Sequence, residues 1–320
     1  MIGSHQVIVR NRRVQYKFTL QRNITILRGD SATGKTTLID MIANYQANGA
    51  QSGIDIVCDK KCVVLTSTFW QNTLEQISDS IVFIDEGSPF IISKEFARMV
   101  KNSDNYYVIA TRTPLYELPY SITEIYGIKN NAGGRYQGTK RLYSGFKAIY
   151  GKSFDKIPKP DIVIVEDTKA GYEFFKTVSD KHGIKCISAA GKSNVYNSVL
   201  ELGTETALVI ADGAAFGPEI ERVLSLKSVK NFVLYLPESF EWIVLKSGLV
   251  SNTEDELSNT PEYVESSKYF SWEQFFTELL VDKTRGTYLQ YSKKKLNEVY
   301  LHPQNIKAVA EVINESLNIE

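Results

Sequence analysis

A glycine-rich turn near the start of the chain has the residue types and the spacing that bind phosphate. The turn reads G-x-x-x-x-G-K-T from Gly29 to Thr36, between an apolar run at 24–27 and a helix-like run. Glycines let backbone N–H groups curl around phosphate oxygens, and a helix N-terminus adds positive potential. Lys35 is expected to reach the β- and γ-phosphates of a nucleoside triphosphate, and Thr36 to place its hydroxyl on Mg²⁺. The predicted nucleotide-binding residues are Gly29, Asp30, Ser31, Ala32, Thr33, Gly34, Lys35, Thr36 and Thr37.

Two acids follow a second apolar run in the first half. Asp85 and Glu86 come directly after residues 81–84. With the glycine-rich turn, they resemble the Walker A and Walker B elements of P-loop ATPases of the additional-strand class. The resemblance implies that Asp85 holds the Mg²⁺ shell and that Glu86 orients or polarises the attacking water. Glu86 and Lys35 would both be catalytic. It also places a γ-phosphate sensor at Thr111 or Arg112. A strand that simply runs into an acidic turn is the plain alternative.

Two motifs of related nucleotide enzymes are missing from the sequence. No L-S-G-G-Q signature precedes Asp85, so a compact ATPase core is expected instead of a transporter-type head. No N-K-x-D motif for guanine recognition occurs either. Arg135 and Arg141 are candidate arginine fingers for a neighbouring subunit, or charges that face nucleic acid or solvent. A small-molecule kinase is disfavoured because Glu86 suits water activation.

Acids also follow strand-like runs in the second half. Glu166 follows residues 162–165, Asp212 follows the run at 207–210, and Glu241 lies beyond the next run. This succession resembles a Toprim domain, the metal-dependent phosphodiester fold. The order of the two modules is similar to that of overcoming-lysogenization-defect (OLD) family ATPase-nucleases, which frequently act in defence against phage. The resemblance implies that Glu166, Asp212 and Glu241 bind Mg²⁺ and that Glu166 and Asp212 are catalytic.

The second half departs from the Toprim pattern at two positions. Ala214 stands where the second acid of D-x-D is expected, and Asp167 stands where glycine is usual. Two alternatives to two-metal cleavage follow: a site that holds a single metal ion, or a domain that binds nucleic acid or a partner without cutting. Asp167 or Glu238 could substitute for the missing acid. The plain alternative is a generic doubly wound domain whose strand-end acids cap helices.

The alternation of strand-like and helix-like segments predicts an α/β fold. Apolar strands joined by helices favour parallel sheets covered on both faces. The expected division is a P-loop ATPase domain at 1–150, a Toprim-like domain at 151–250, and an acidic linker with a helical extension at 251–320. A hairpin is predicted from runs at 122–126 and 136–143. The other expected strands are 24–27, 62–65, 81–84, 106–110, 162–165, 184–188, 207–210 and 232–236.

Composition indicates a globular protein. The 320 residues are 43% hydrophobic and 23% charged, with a formal net charge of zero. The absence of a long apolar stretch and of a signal-peptide pattern predicts a cytoplasmic protein that does not bind a membrane. The three cysteines do not form a disulfide framework, and Cys58 and Cys62 lack partners for a zinc site.

A basic segment offers a candidate nucleic-acid surface. Residues 128–160 contain eight lysines and arginines and one acid. Basic and aromatic residues together suit backbone tracking and base stacking, but the same aromatics could face the core. The interleaved aromatics are Tyr136, Tyr143, Phe146, Tyr150 and Phe154.

The primary hypothesis is an ATP- and Mg²⁺-dependent protein that processes nucleic acid, with DNA favoured over RNA. A homo-oligomer or a partner protein is expected. The second hypothesis is a nucleotide-switched sensor or assembly module whose Toprim-like half does not cut.

Overall fold

The computed structural model describes residues 1–29, 33–66, 68–130, 142–150 and 159–317. The chain is α/β and forms two compact units. Unit 1 comprises Met1–Gly151 and Pro261–Phe270, and unit 2 comprises Lys152–Thr260 and Ser271–Glu320. The segment 251–320, expected as a linker and helical extension, is therefore shared between the units.

Unit 1 is built on a mixed sheet. Its helices are α1 (Lys35–Asn48), α2 (Trp70–Glu75) and α3 (Lys94–Lys101), with 3₁₀ turns at Gly49–Ser52, Pro89–Ile92 and Ile122–Glu124. Its strands in the described residues are β1 (His5–Arg10), β2 (Val14–Leu20), β3 (Ile24–Leu27), β4 (Asp55–Val57), β5 (Lys61–Val64), β6 (Ser80–Ile84), β7 (Tyr106–Ala110), β8 (Ile125–Asn130) and β9 (Leu142–Ala148). Their order across the sheet is β4-β1-β2-β9-β8-β3-β7-β6-β5.

The half of this sheet that runs from β8 to β5 is parallel, and β7 lies between β3 and β6. Every residue of β3, β6 and β7 is buried. Continuous apolar runs of this kind suit strands covered on both faces. The sheet half thus aligns the carboxyl ends of these three strands at one edge.

The other half of the sheet adds antiparallel pairs to the expected parallel sheet, although β2 pairs parallel with β9. β1 pairs antiparallel with both β2 and β4, and β8 pairs antiparallel with β9. None of β1, β2 and β4 was expected from the sequence. The signal was present in β2, where buried and more exposed residues alternate, as they do on a sheet with one covered face.

The predicted hairpin is also revised. Its first strand begins at Ile125 and not at Ile122, because Ile122–Glu124 forms a 3₁₀ turn. The Ser121 side chain accepts a hydrogen bond from Thr123 N and so caps this turn. The second strand is Leu142–Ala148. The earlier part of the predicted run, 136–141, lies outside the described residues.

Unit 2 has a parallel sheet with helices around it. Over the part that the structure describes, its strands are β10 (Ile162–Val165), β11 (Lys185–Ser188), β12 (Ala207–Ile210) and β13 (Phe232–Tyr235), in the order β11-β10-β12-β13. Its helices are α4 (Ala170–Lys181), α5 (Lys192–Leu200), α6 (Ile220–Leu224), α7 (Phe240–Lys246), α8 (Glu254–Ser258), α9 (Trp272–Thr284) and α10 (Pro303–Leu317). Further 3₁₀ turns are Ser225–Ser228 and Glu298–Leu301, and the turn Thr260–Glu262 begins in unit 2 and continues into the residues of unit 1.

The strand order of unit 2 reverses between β10 and β12. In open parallel sheets, ligands bind at the carboxyl ends of the strands beside such a reversal. Within the described ranges, no helix has both the length and the apolar character that crossing a membrane requires.

Candidate functional site

The predicted nucleotide site of unit 1 lies at the edge where three parallel strands end. Leu27 is opposite Ala110, and Ile84 is opposite Ile109. The backbone of Thr111 continues the pairing, because its N–H donates to Leu27 O at 3.1 Å. The glycine-rich turn, the acids after β6 and the polar residues after β7 therefore leave the sheet at the same edge.

The described part of the glycine-rich turn folds around the Lys35 side chain. Lys35 is only 5% exposed, and its Nζ donates to Gly29 O at 2.5 Å and to Thr33 Oγ1 at 3.3 Å. Gly29 and Gly34 have backbone φ values of +131° and +97°, which residues with a side chain rarely adopt. Thr36 and Thr37 are exposed in the first turn of α1. The other predicted residues of this turn, Asp30, Ser31 and Ala32, lie outside the described residues.

Tyr16 of β2 is a neighbour of the turn that sequence reasoning missed. Its hydroxyl donates to Gly34 O at 3.1 Å, and a Cβ on Gly34 would lie 2.9 Å from the Tyr16 oxygen. Burial raises the pKa of Tyr16, although a hydrogen bond with Thr37 opposes the shift. The inward positions of β2 could have indicated a buried tyrosine but not its partner.

The acids after β6 have defined contacts. The Asp85 Oδ1 accepts a hydrogen bond from Glu86 N at 2.8 Å, and the Glu86 carboxylate forms an ion pair with Arg112 Nε. The structure thus brings together the predicted catalytic acid and the predicted sensor. Thr111, the other sensor candidate, donates from Oγ1 to Thr113 O at 3.0 Å.

The donor set at this edge fits a magnesium ion. Thr36 offers an exposed hydroxyl, and Asp85 offers a carboxylate that is partly exposed. Mg²⁺ in nucleotide sites takes one or two protein oxygens and completes its shell with water and phosphate. Thr36 and Asp85 are the residues that would hold it.

The predicted nucleic-acid surface is described only in part. Phe146 stacks on Phe18 with ring centroids 3.9 Å apart and packs against the core of unit 1. Tyr143 is 38% exposed. Phe146 therefore follows the alternative in which the aromatics face the core. Tyr136, Phe154, Arg135 and Arg141 lie outside the described residues.

In unit 2, two predicted acids meet beside the strand reversal. Val165 of β10 is opposite Ile210 of β12, and Glu166 Oε2 accepts a hydrogen bond from Asp212 N at 3.1 Å. Burial, followed by the charges of other carboxylates including Glu273 and Glu241, raises the pKa of Asp212 well above its usual range. Burial also raises the pKa of Glu166, although the bond from Asp212 N opposes the shift.

Two further acids complete this group. Glu241, in the first turn of α7, is 2% exposed, and Glu273 lies in the first turn of α9. Both interact electrostatically with Asp212. We call Glu166, Asp212, Glu241 and Glu273 the acidic centre. Glu273 was missed because it lies in the segment 251–320, which was expected to be a linker and a helical extension.

Two side chains from the segment after α9 reach the acidic centre. The Tyr291 hydroxyl donates to Glu241 Oε1 at 2.9 Å. Lys293 Nζ lies 2.6 Å from Glu273 Oε1 and 3.7 Å from Glu241 Oε1. Burial opposes the charged form of Lys293, but the carboxylates of Glu241 and Glu273 outweigh it and raise the pKa. In the sequence, Lys293 opens a run of three lysines and reads as surface charge.

Asp167 follows the plain alternative and caps a helix. Its Oδ1 accepts hydrogen bonds from Thr168 N and Lys169 N at 2.7 and 3.0 Å, and its Oδ2 accepts one from Gly171 N at 3.0 Å. The bond from Gly171 N satisfies a free N–H group in the first turn of α4, and the other two bonds fix the residues just before the helix. Asp167 is thus engaged at the helix and does not supply the acid missing at Ala214.

The acids of unit 2 are not arranged as a metal-ligand set. Among the described residues, no group of three or more His, Cys, Asp or Glu is placed to hold a metal ion. The acidic centre as it stands does not fit a divalent metal, because the ammonium of Lys293 contacts two of its carboxylates. Metal binding by Glu166, Asp212 and Glu241 stays a prediction.

Comparisons with protein-family models and with curated proteins give no match to this chain.

Proposed function

We propose that unit 1 binds ATP with Mg²⁺ and hydrolyses it. The observation that carries this proposal is the common edge at which β3, β6 and β7 end, with Lys35, Glu86 and Arg112 beyond them. The position of β7 between β3 and β6 supports the likeness to additional-strand ATPases. The missing guanine-recognition motif favours adenine.

Lys35 is the residue that changes partner when nucleotide binds. Its ammonium donates to a neutral carbonyl at Gly29 and to the Thr33 hydroxyl. Phosphate oxygens are charged acceptors and make stronger bonds to an ammonium. Mg²⁺, held by Thr36 and Asp85, would neutralise charge on the phosphates.

Arg112 controls when Glu86 can act. Glu86 is ion-paired with Arg112, and a carboxylate held in this way is a weaker acceptor for the proton of a water molecule. A γ-phosphate at this edge offers Arg112 a second anion. Release of Glu86 would then let its carboxylate orient water for attack, giving ADP and phosphate.

Variants of these residues test the proposal. We expect Lys35→Ala to lose ATP binding and phosphate release, and Glu86→Gln to keep binding while hydrolysis falls by about 10²-fold or more. Lys94→Ala, an exposed change on α3, is the matched control. Unchanged phosphate release in Lys35→Ala would remove the proposal. Phosphate found on a small molecule instead of in solution would support the kinase alternative.

A second proposal concerns unit 2: nucleic-acid cleavage coupled to the ATP cycle. The meeting of Glu166 and Asp212 beside the strand reversal supports it. Nicking of plasmid DNA, or cutting of RNA, with Mg²⁺ or Mn²⁺ should be lost in Glu166→Gln and kept in the exposed control Glu201→Gln. If neither the parent protein nor Glu201→Gln cleaves nucleic acid, the sensor hypothesis is supported instead. Ala214 favours that hypothesis. A role in phage defence, self-assembly and a cytoplasmic location are parts of this proposal.

A further inference from the structure

Lys293 is held inside the acidic centre by its own backbone. Its carbonyl accepts a hydrogen bond from Ala170 N at 3.3 Å, at the start of α4. Three residues later, Leu296 N donates to Glu173 Oε2 at 2.7 Å. These two bonds anchor the segment to α4, so the Lys293 side chain enters the centre from a fixed position.

The ammonium of Lys293 bridges carboxylates from two helices. It contacts Glu273 of α9 and Glu241 of α7, and its charge also acts on Asp212 at the end of β12. Tyr291 donates to the same Glu241 oxygen that faces Lys293. One positive charge therefore balances acids that come from three elements of unit 2.

A buried carboxylate without a counter-charge is costly. Removal of one partner from a buried ion pair is strongly destabilising because the remaining charge is uncompensated. Glu241 is almost fully buried, and the side chain of Lys293 is 31% exposed. A divalent ion that entered here would have to displace an ammonium that the chain itself supplies.

We propose that Lys293 is the resident cation of the acidic centre and takes the charge-balancing place that a divalent metal would otherwise have there. The acids of unit 2 are then held together without Mg²⁺, which favours a half that binds without cutting. This inference supports the sensor hypothesis for unit 2 over the cleavage proposed above, and it is independent of ATP hydrolysis in unit 1.

The test compares cation dependence with and without the lysine charge. The full chain carries Trp70→Phe, so that fluorescence reports only Trp242 and Trp272 of unit 2. Thermal unfolding is followed without nucleotide in millimolar MnCl₂ and in choline chloride of equal ionic strength. The variants are Lys293→Met and the charge-preserving control Lys293→Arg.

For the parent protein and for Lys293→Arg, we expect the unfolding temperature in Mn²⁺ to lie within about 1 °C of that in choline chloride. Lys293→Met should unfold at a lower temperature, regain about 5 °C in Mn²⁺, and bind Mn²⁺ about tenfold more tightly by calorimetry. An equal Mn²⁺ shift with and without Lys293, or loss of Mn²⁺ binding in Lys293→Met, would overturn the inference.

A second variant covers the case in which Lys293→Met does not fold. Glu273→Gln combined with Lys293→Met removes one negative and one positive charge together. We expect this double variant to fold without Mn²⁺ and to bind Mn²⁺ no more tightly than the parent protein does. If the double variant folds only when Mn²⁺ is present, the inference is contradicted. Phosphate release in Lys35→Ala is read separately, so failure here leaves the ATPase proposal intact.

Discussion

Gly34 shows how one residue fixes the geometry of the glycine-rich turn. Its φ of +97° is unfavourable for a side chain, and a Cβ there would lie 2.9 Å from the Tyr16 hydroxyl oxygen. Gly34→Ala is therefore expected to destabilise unit 1 by about 1–3 kcal/mol and to weaken ATP binding. Urea unfolding and nucleotide titration measure the two effects.

A control separates backbone strain from the clash. Gly53 also has positive φ, at +67°, but nothing lies within 4 Å of its added Cβ. Gly53→Ala should cost only the backbone strain, about 1 kcal/mol, and leave ATP binding unchanged. If both variants bind ATP equally well, contact with Tyr16 does not shape the site.

The contacts of Asp59 give a pH dependence to the link between β1 and the β4–β5 connection. His5 opens β1, and its Nδ1 lies 2.7 Å from Asp59 Oδ2. Burial opposes ionisation of Asp59, but the hydrogen bond and the charge of His5 outweigh it and lower the pKa. A carboxyl with a lowered folded-state pKa stabilises the fold above its unfolded pKa of about 3.9 and loses that effect as pH falls.

Asp59→Asn tests this link. Because the Asp59 side chain is 59% exposed, solvent screening reduces the expected loss to about 0.5 kcal/mol at neutral pH. The difference from the parent protein should shrink below about pH 4. Urea unfolding across pH measures it, with Asp40→Asn, an exposed change on α1, as control. A difference that is constant with pH would contradict the pairing.

Gly213 allows two strand ends of unit 2 to approach closely. A Cβ on Gly213 would lie 2.5 Å from Leu236 O and 2.9 Å from Pro237 O, which are backbone atoms that cannot turn away. Gly213→Ala is expected to destabilise unit 2 by about 3 kcal/mol. In Gly203→Ala the close atom, at 3.0 Å, is the carboxylate of Glu205, which can move. Urea unfolding in the Trp70→Phe background should show a much smaller loss for this control.

At the level of elements, the fully buried strands could be predicted from the sequence, whereas the half-exposed strands β1, β2 and β4 were not predicted. The expected strands at 24–27, 106–110, 162–165 and 207–210 have the same bounds in the structure, because a short continuous apolar run suits a strand covered on both faces. β1 and β2 lack such a run: in β2, polar residues such as Gln15 and Lys17 alternate with apolar ones, a pattern that was overlooked. β4 is only three residues long and has no buried residue.

The candidate sites show the same division. The glycine-rich turn and the acids after strands follow from local spacing, and the parallel register brings them to one edge. Tyr16, Glu273 and Lys293 could not be found in this way, because each reaches its partner through pairing or packing of segments far apart in sequence. Their types, one tyrosine, one acid and one lysine, carry no local pattern.

At the scale of the whole molecule, unit 1 depends on ten residues from far along the chain. Gly3 N donates to Pro261 O at 2.8 Å, and Ser266 N donates to Met1 O at 3.0 Å. The terminal amino group of Met1 also donates to Ser266 Oγ at 3.0 Å. A fragment that ends at residue 151 lacks these contacts.

We expect fragment 1–151 to be less stable than the same fragment with 261–270 attached through a flexible linker. The difference should be about 2 kcal/mol, since two backbone hydrogen bonds and the Met1 contacts are restored. A scrambled 261–270 sequence is the control. Equal unfolding midpoints for the native and scrambled attachments would show that these ten residues do not support unit 1.

The return of the chain to unit 1 has a genetic consequence. The residues of unit 1 are encoded by two stretches of the gene, which are separated by the codons for residues 152–260. Recombination with a single breakpoint between the units would deliver an incomplete unit 1 to its recipient. Exchange of either half as a working piece needs additional breakpoints on both sides of codons 261–270, so the two halves are expected to be inherited together.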